Sequence, residues 1–191
     1  ASLGDVYIND AFGTAHRAHS STVGVADYLP AFAGFLMEAE VNMLKSVVES
    51  PERPRVAILG GAKVTDKLGI IENLLEKMDI ILIGGGMANA FLKAKGKNVG
   101  KSLFEKELLN EANRLLDKAE QKKVRLLLPV DVVIAGEISA DATATVARVD
   151  EVPDDMMIVD IGPRTIEIYR EEINQAKTII WNGPMGVYEY E

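Results

Sequence analysis

Lys63 and Lys67 stand four positions apart in the run RVAILGGAKVTDKLGIIENLLEKM (Arg55 to Met78), just after the paired glycines Gly60 and Gly61. The apolar stretch before them reads as a short buried strand, and the stretch after them as an amphipathic helix. The two lysines then sit just before and inside the first turn of that helix. Side chains lean back toward a helix N-terminus, so both ammonium groups can converge over the glycine turn. That end of a helix already carries about half a positive charge. Cations set against that gradient make chemical sense where an anion such as a polyphosphate fills the gap. Two solvated lysines are the plainer alternative.

Other strand ends carry similar punctuation. "ILIGGG" ends in Gly84, Gly85 and Gly86, and "IIWNGP" ends in Asn182, Gly183 and Pro184. Glycine at such a turn lets a ligand approach the backbone and frees N–H groups at the following helix, although tight strand-to-helix turns use glycine for geometry alone. Asn182 can donate or accept at the sheet edge, and Glu189 can accept from sugar hydroxyls. Trp181 reads as a core residue. Near the start, "TAHRAHSS" sets His16, Arg17 and His19 in a polar loop. Arg17 has the planar fork of donors that suits phosphate or carboxylate. No acidic residue lies close enough in sequence to make a metal set with the histidines. "GKNVGKS" (Gly96 to Ser102) is one residue short of a phosphate-binding loop and follows a helix rather than a strand, so it is rejected as one. "GGGMAN" places Asn89 where a dinucleotide fingerprint needs glycine or alanine.

The elements that must position these residues alternate from Arg55 onward. RVAIL, DIILI (Asp79 to Ile83), VRLLLPVDVVIA (broken by Pro129), MMIVDIG and TIIWNGP read as strands. The helices between them are the one after Lys67, MANAFLKAKG ending at Gly96, Phe104 to Lys123, and RTIEIYREEINQ. In the first, Leu68, Ile71, Leu75 and Met78 share a face. Strands apolar along their whole length are buried on both sides, and alternating helices cover both faces of a parallel sheet. The expectation for residues 55–191 is an α/β domain with an open, doubly wound, Rossmann-like parallel sheet. Ligands of such sheets bind beyond the carboxyl ends of the strands. Before it, Pro30 to Ser50 reads as one long helix with Phe32, Phe35, Leu36, Ala39, Met43 and Val47 along a stripe. Residues 1–29 hold too little apolar material for a core of their own.

Composition bounds the partners. The net charge of −8 over 191 residues argues against broad binding to nucleic acid or anionic membrane. No apolar run approaches the roughly 18–20 residues that span a bilayer, and the first residues do not form a secretory signal. With no cysteine there are no disulfides or thiolate metal sites, and a reducing cytoplasm is the natural compartment.

Taken together, NDAFGTAHRAHSSTVG, ESPERPRVAILGGAKVTDK, LIGGGMANAFL, LPVDVV and WNGPMGVYE resemble phosphoglycerate kinase of bacterial type, with the blocks in that family's order. The resemblance implies a cytoplasmic, monomeric enzyme of glycolysis. It would transfer a phosphoryl group between 1,3-bisphosphoglycerate and ADP, giving 3-phosphoglycerate and ATP, with Mg2+ carried by the nucleotide. Its N-terminal domain would hold phosphoglycerate, its C-terminal domain nucleotide, and a long helix would join them. Carried onto this chain, residues 1–30 match a remnant of the first domain, 31–50 the joining helix and 51–191 the nucleotide domain. Arg17, with His16 and His19 beside it, matches the phosphoglycerate contact. Lys63 and Lys67 match lysines near the nucleotide phosphates. Gly60, Gly61, Gly84, Gly85 and Gly86 match the glycines of the nucleotide cleft. Asn182 and Pro184 match its phosphate and base side, and Glu189 matches the ribose acceptor. No metal ligand is expected in this chain. Most of the first domain and a last segment with a Gly-Gly-Gly-Asp-Ser/Thr loop have no counterpart here, so the expectation is a central fragment, inactive or nearly so alone. Its exposed core surface is expected to favour association. A nucleotide-binding module without catalysis, or an interaction fragment, are the other readings.

Overall fold

The structure, a computed structural model, describes residues 1–49, 52–61 and 68–190. Its contacts divide the chain into two compact units, Ala1–Pro51 and Glu52–Glu191.

In the first unit, β1 (Tyr7–Asn9) pairs in parallel with β2 (Ala31–Ala33), and helix α1 covers Phe35–Glu49. The helix expected to start at Pro30 therefore starts five residues later. Asp10 decides this. Its carboxylate accepts from the Met37 N–H at 2.9 Å, and a Cβ on Gly34 would lie 2.3 Å from the Asp10 Cγ. A carboxylate at a helix N-terminus satisfies an orphan donor and complements the helix dipole. Residues 31–33 instead give their backbone groups to β1. Along the expected stripe, Phe35 is 90% exposed and Met43 is 64% exposed.

The second unit runs β3 (Arg55–Leu59), α2 (Leu68–Leu74), β4 (Ile80–Ile83), α3 (Gly85–Ala94), α4 (Leu109–Lys122), β5 (Arg125–Leu127), β6 (Asp131–Ala135), β7 (Thr145–Arg148), β8 (Met157–Ile161), α5 (Pro163–Gln175) and β9 (Thr178–Asn182). Four strands form a parallel sheet in the order β5-β4-β3-β9. Successive residues of a strand face opposite sides, and both sides are buried. Ala57, Leu59, Ile81 and Ile83 pack against Ile71, Leu75, Met87, Phe91 and Leu115. Val56, Ile58, Ile80 and Leu82 pack against Tyr169 of α5. This is the Rossmann-like α/β arrangement that the apolar strands predict.

The sheet is smaller than expected, because β6 and β8 leave it. With β7, for which the sequence analysis proposes no strand, they make a separate antiparallel sheet in the order β7-β6-β8. The connection explains it. Residues 128–130 alone separate β5 from β6, whereas a parallel neighbour needs a crossover of a dozen or so residues. The second sheet builds its own core from Val132, Ile134, Val149 and Val152 with Leu92 and Val99. Thr165 and Asp131 join it to the first turn of α5: the Asp131 carboxylate accepts from the Arg164 and Thr165 N–H groups at 2.9 and 2.7 Å.

Candidate functional site

Strands β3, β4 and β9 end side by side, with Leu59 opposite both Ile83 and Asn182. The chain leaving β9 is strapped across the two glycine turns. The Gly60 N–H donates to the Asn182 carbonyl at 3.0 Å, Gly61 to Pro184 at 2.8 Å and Gly85 to Met185 at 2.7 Å. The Val187 N–H then donates to the Val159 carbonyl on β8 at 2.8 Å. A Cβ on Gly60 would stand 2.0 Å from the Pro184 oxygen, and Gly85 has φ +59 with the Gly61 nitrogen 2.7 Å from where its Cβ would be. Both positions therefore need glycine. This corrects one expectation. The N–H groups of Gly60, Gly61 and Gly85 are taken up by backbone carbonyls, so these glycines serve close packing of the strap rather than presenting open donors.

Between the strap, the start of α3, residues 101–103 and β8 lies a cavity of about 500 Å3. Gly61, Gly85, Gly86, Pro184 and Glu189 line it, together with Ala88, Leu103, Ile158, Val159, Met185 and Val187. The walls are thus largely apolar. The polar side chains are Asn89, Lys101, Ser102, Glu137, Asp160, Tyr188 and Glu189. Burial pushes the Asp160 carboxyl above its ordinary value, an effect the Ile161 N–H opposes through a bond of 2.7 Å to Oδ1. The Glu189 carboxylate accepts from the Tyr188 N–H at 3.0 Å. Apolar walls with a few acceptors suit a flat ring carrying hydroxyl or amino donors.

Of the sequence-derived residues, the fold brings Gly61, Gly85, Gly86, Pro184 and Glu189 to this cavity and sets Gly60 and Gly84 directly beneath its strap. Asn182 contributes its carbonyl to Gly60, while its side chain is exposed and outside the lining. Trp181, expected in the core, is 66% exposed, with Nε1 donating to the Gly183 carbonyl at 2.8 Å; β9 lies at the edge of the four-stranded sheet, where a side chain has a strand neighbour on one side only. Lys63 and Lys67 lie outside the described residues. Arg17 belongs to the first unit, where Nε donates to the His16 Nε2 at 3.3 Å, and the His19 carbonyl accepts from Val23 at 2.8 Å. All three of those side chains are exposed. Among the described residues, no group of three or more His, Cys, Asp or Glu side chains gathers as a metal set.

A cleft of about 540 Å3 opens at the opposite, amino ends of the strands, lined by Arg53, Arg55, Lys122 and Arg125 among others. Its arginines are already engaged. Arg55 is bidentate to Asp79, with Nε 3.2 Å from Oδ2 and Nη2 3.2 Å from Oδ1, and Arg125 pairs with Glu172. These pairs hold the lower rim of the sheet, which leaves the cavity at the carboxyl ends as the candidate site.

The chain matches the sequence model of phosphoglycerate kinase over residues 1–191. It belongs to the phosphoglycerate kinase family. Phosphoglycerate kinase of Chloroflexus aggregans is 59% identical over 191 residues, which are 100% of this chain and 48% of that protein. That of Roseiflexus castenholzii is 60% identical over 189 residues, 99% of this chain and 48% of the relative. Among solved structures, phosphoglycerate kinase from Coxiella burnetii superposes with a TM-score of 0.87 at 50% identity, covering 97% of this chain and 48% of that one. The enzyme from Pyrococcus horikoshii OT3 gives 0.78 at 36%, covering 98% and 48%. The chain spans about half the length of the phosphoglycerate kinases it matches.

In this member of the phosphoglycerate kinase family the sequence reading missed Leu103, Val159, Asp160 and Met185, all of which line the cavity. No local signal marks them, because they come together from three separate stretches: the segment before α4, strand β8 and the strap after β9. Asn89 was noticed as a misfit in a glycine motif, and its place at the cavity wall is a finding of the fold.

Proposed function

We propose that a full-length protein carrying this chain is a phosphoglycerate kinase of glycolysis. It would move a phosphoryl group reversibly between 1,3-bisphosphoglycerate and ADP, yielding 3-phosphoglycerate and ATP. The observation that carries this reading is the cavity at the carboxyl ends of β3, β4 and β9 in a chain that matches the family along its whole length. Base and ribose of the nucleotide would occupy that cavity, with the base against Leu103, Val159 and Val187 and the ribose hydroxyls toward Glu189. Asn182 and Pro184 would flank the phosphate and base side. Lys63 and Lys67 would meet the phosphates, and Lys67 would neutralise the group in flight. Arg17, aided by His16 and His19, would hold phosphoglycerate.

Phosphoryl transfer spreads charge over the equatorial oxygens of a loose transition state, so the protein's work is positioning and electrostatic stabilisation. Mg2+, arriving with the nucleotide, supplies further neutralisation of the phosphate oxygens when bound. The chain as given is proposed to bind nucleotide and to turn over little or not at all, since its relatives are about twice its length. That span is also what favours the second reading, a nucleotide-binding α/β module without catalysis.

Calorimetry with Mg-ADP and a coupled assay in both directions test the two together. Binding with activity in a full-length protein and binding without activity in this chain is the expected pattern. Absence of any Mg-ADP binding at millimolar concentration would sink the nucleotide assignment for this chain.

A further inference from the structure

We propose that Asn89 is a positioning residue of the cavity, its carboxamide setting the Leu103 wall against which a nucleotide base packs. The inference rests on the nucleotide reading above. Asn89 lies on α3 among buried Met87, Ala88, Ala90 and Phe91 and is itself 3% exposed. Its Nδ2 donates to the Leu103 carbonyl at 3.2 Å. A carbonyl can only accept, so this bond determines which end of the amide faces Leu103. Asn89 Oδ1 is buried and has no hydrogen-bond partner among the described residues. The other buried polar side chains among the described residues are Ser102, Asp131 and Thr165. Each of them is hydrogen-bonded.

A leucine of similar size would fill the same apolar surroundings without stranding an acceptor, and a half-satisfied buried amide is a net cost. Packing therefore does not account for asparagine at this position. Its bond to Leu103 does. Leu103 is 85% exposed and lines the cavity, an open setting for a leucine unless something flat covers it. The residues before it are tied to the second sheet, with Lys101 N–H donating to the Met156 carbonyl and Ile158 N–H to Ser102 Oγ, both at 2.8 Å. At Leu103 the tie passes to α3 through the Asn89 amide. The wall is thus clamped from two sides, and Asn89 sets its distance from Val159 and Val187 across the cavity. The ligand this geometry suits is a planar heteroaromatic base.

The test uses the full chain with Asn89→Leu, Leu103→Ala and the double variant. Asn89→Leu should melt cooperatively at or above the wild-type Tm, because the stranded acceptor is gone. It should weaken Mg-ADP by about tenfold in calorimetry, on the scale of one hydrogen bond's ordering. Because Asn89 acts through Leu103, adding Asn89→Leu to Leu103→Ala should cost little more; losses that multiply overturn the proposal. Amide hydrogen exchange at Lys101 and Ser102, whose N–H groups donate to the Met156 and Val99 carbonyls just before the clamped residue, supplies a readout without ligand and should speed up in Asn89→Leu. Unchanged exchange overturns the clamp, as does loss of a cooperative melt, which would make the amide a requirement for folding instead. A wild-type chain that takes no Mg-ADP overturns the nucleotide reading and this inference with it. Wild-type binding that Asn89→Leu leaves unchanged overturns this inference alone.

Discussion

Gly60 and the Pro184 carbonyl are packed so closely that a Cβ on Gly60 would lie 2.0 Å from the oxygen. The contact joins the end of β3 to the strap that follows β9, and the Gly61 N–H bonds the same carbonyl at 2.8 Å. Gly60→Ala must push the strap away. It is expected to destabilise the second unit by about 1–3 kcal/mol, the usual cost of overpacking, and to lower Mg-ADP affinity together with stability. Urea denaturation and calorimetry on the same preparation check this. Wild-type values in both would show that the strap yields freely.

Asp131 and Thr165 give a prediction in pH. The Thr165 hydroxyl lies 2.6 Å from Asp131 Oδ1, and two N–H groups at the start of α5 also point at the carboxylate. Burial pushes the Asp131 carboxyl up, but the bonds from Thr165 and Arg164 outweigh it and hold the group below its ordinary value of 3.8. A carboxyl depressed on folding stabilises the fold above its unfolded value, and that stability fades as pH falls through the lower folded value. Asp131→Asn should therefore lose stability at neutral pH, by about 1–3 kcal/mol for hydrogen bonds to a charged group, and should show a smaller stability drop below pH 3.8 than the wild type. Parallel pH-dependence curves for the two proteins would contradict it.

Tyr169 offers a milder change. Its hydroxyl lies 2.8 Å from the Ile83 carbonyl and 3.0 Å from that of Leu127. Burial pushes the phenol far above its usual range, against a smaller pull from the Ile83 bond, so it stays a donor at any ordinary pH. Tyr169→Phe keeps the ring in place beneath β4 and removes the donor. A loss of about 1 kcal/mol in chemical denaturation is expected, with Mg-ADP affinity little altered. A large affinity change would mean that the ends of β4 and β5 are set by this hydroxyl.

For Lys67 the expectation concerns chemistry rather than stability. In a full-length protein Lys67→Ala should lower kcat by about 10²–10³, as loss of a transition-state donor commonly does, while KM for nucleotide moves much less. Lys67→Arg should also be impaired, since the guanidinium is wider and rigidly planar. Steady-state kinetics in the direction of ATP formation decides. An unchanged kcat removes Lys67 from the proposed role.

Much of the architecture was legible before any coordinates. Val56–Leu59 and Ile80–Ile83 are apolar at every position and lie buried in the middle of the parallel sheet, because strands covered on both sides have no polar face to reveal a period. The glycines at their ends lie at the carboxyl rim of the sheet, beside the cavity. Their purpose was less legible. Gly60, Gly61 and Gly85 are spent on a strap more than 90 residues away in sequence, and no local pattern encodes such a partner.

By itself the sequence determined the family and the Rossmann-like alternation, since hydrophobic period and glycine placement act over a few residues. Tertiary structure alone decided that β6 and β8 turn antiparallel, that α1 waits for Asp10 before it starts, and that Asn89, Leu103, Val159 and Asp160 share one cavity. Those outcomes depend on contacts between residues far apart along the chain, where burial and hydrogen-bond satisfaction are settled jointly rather than one segment at a time.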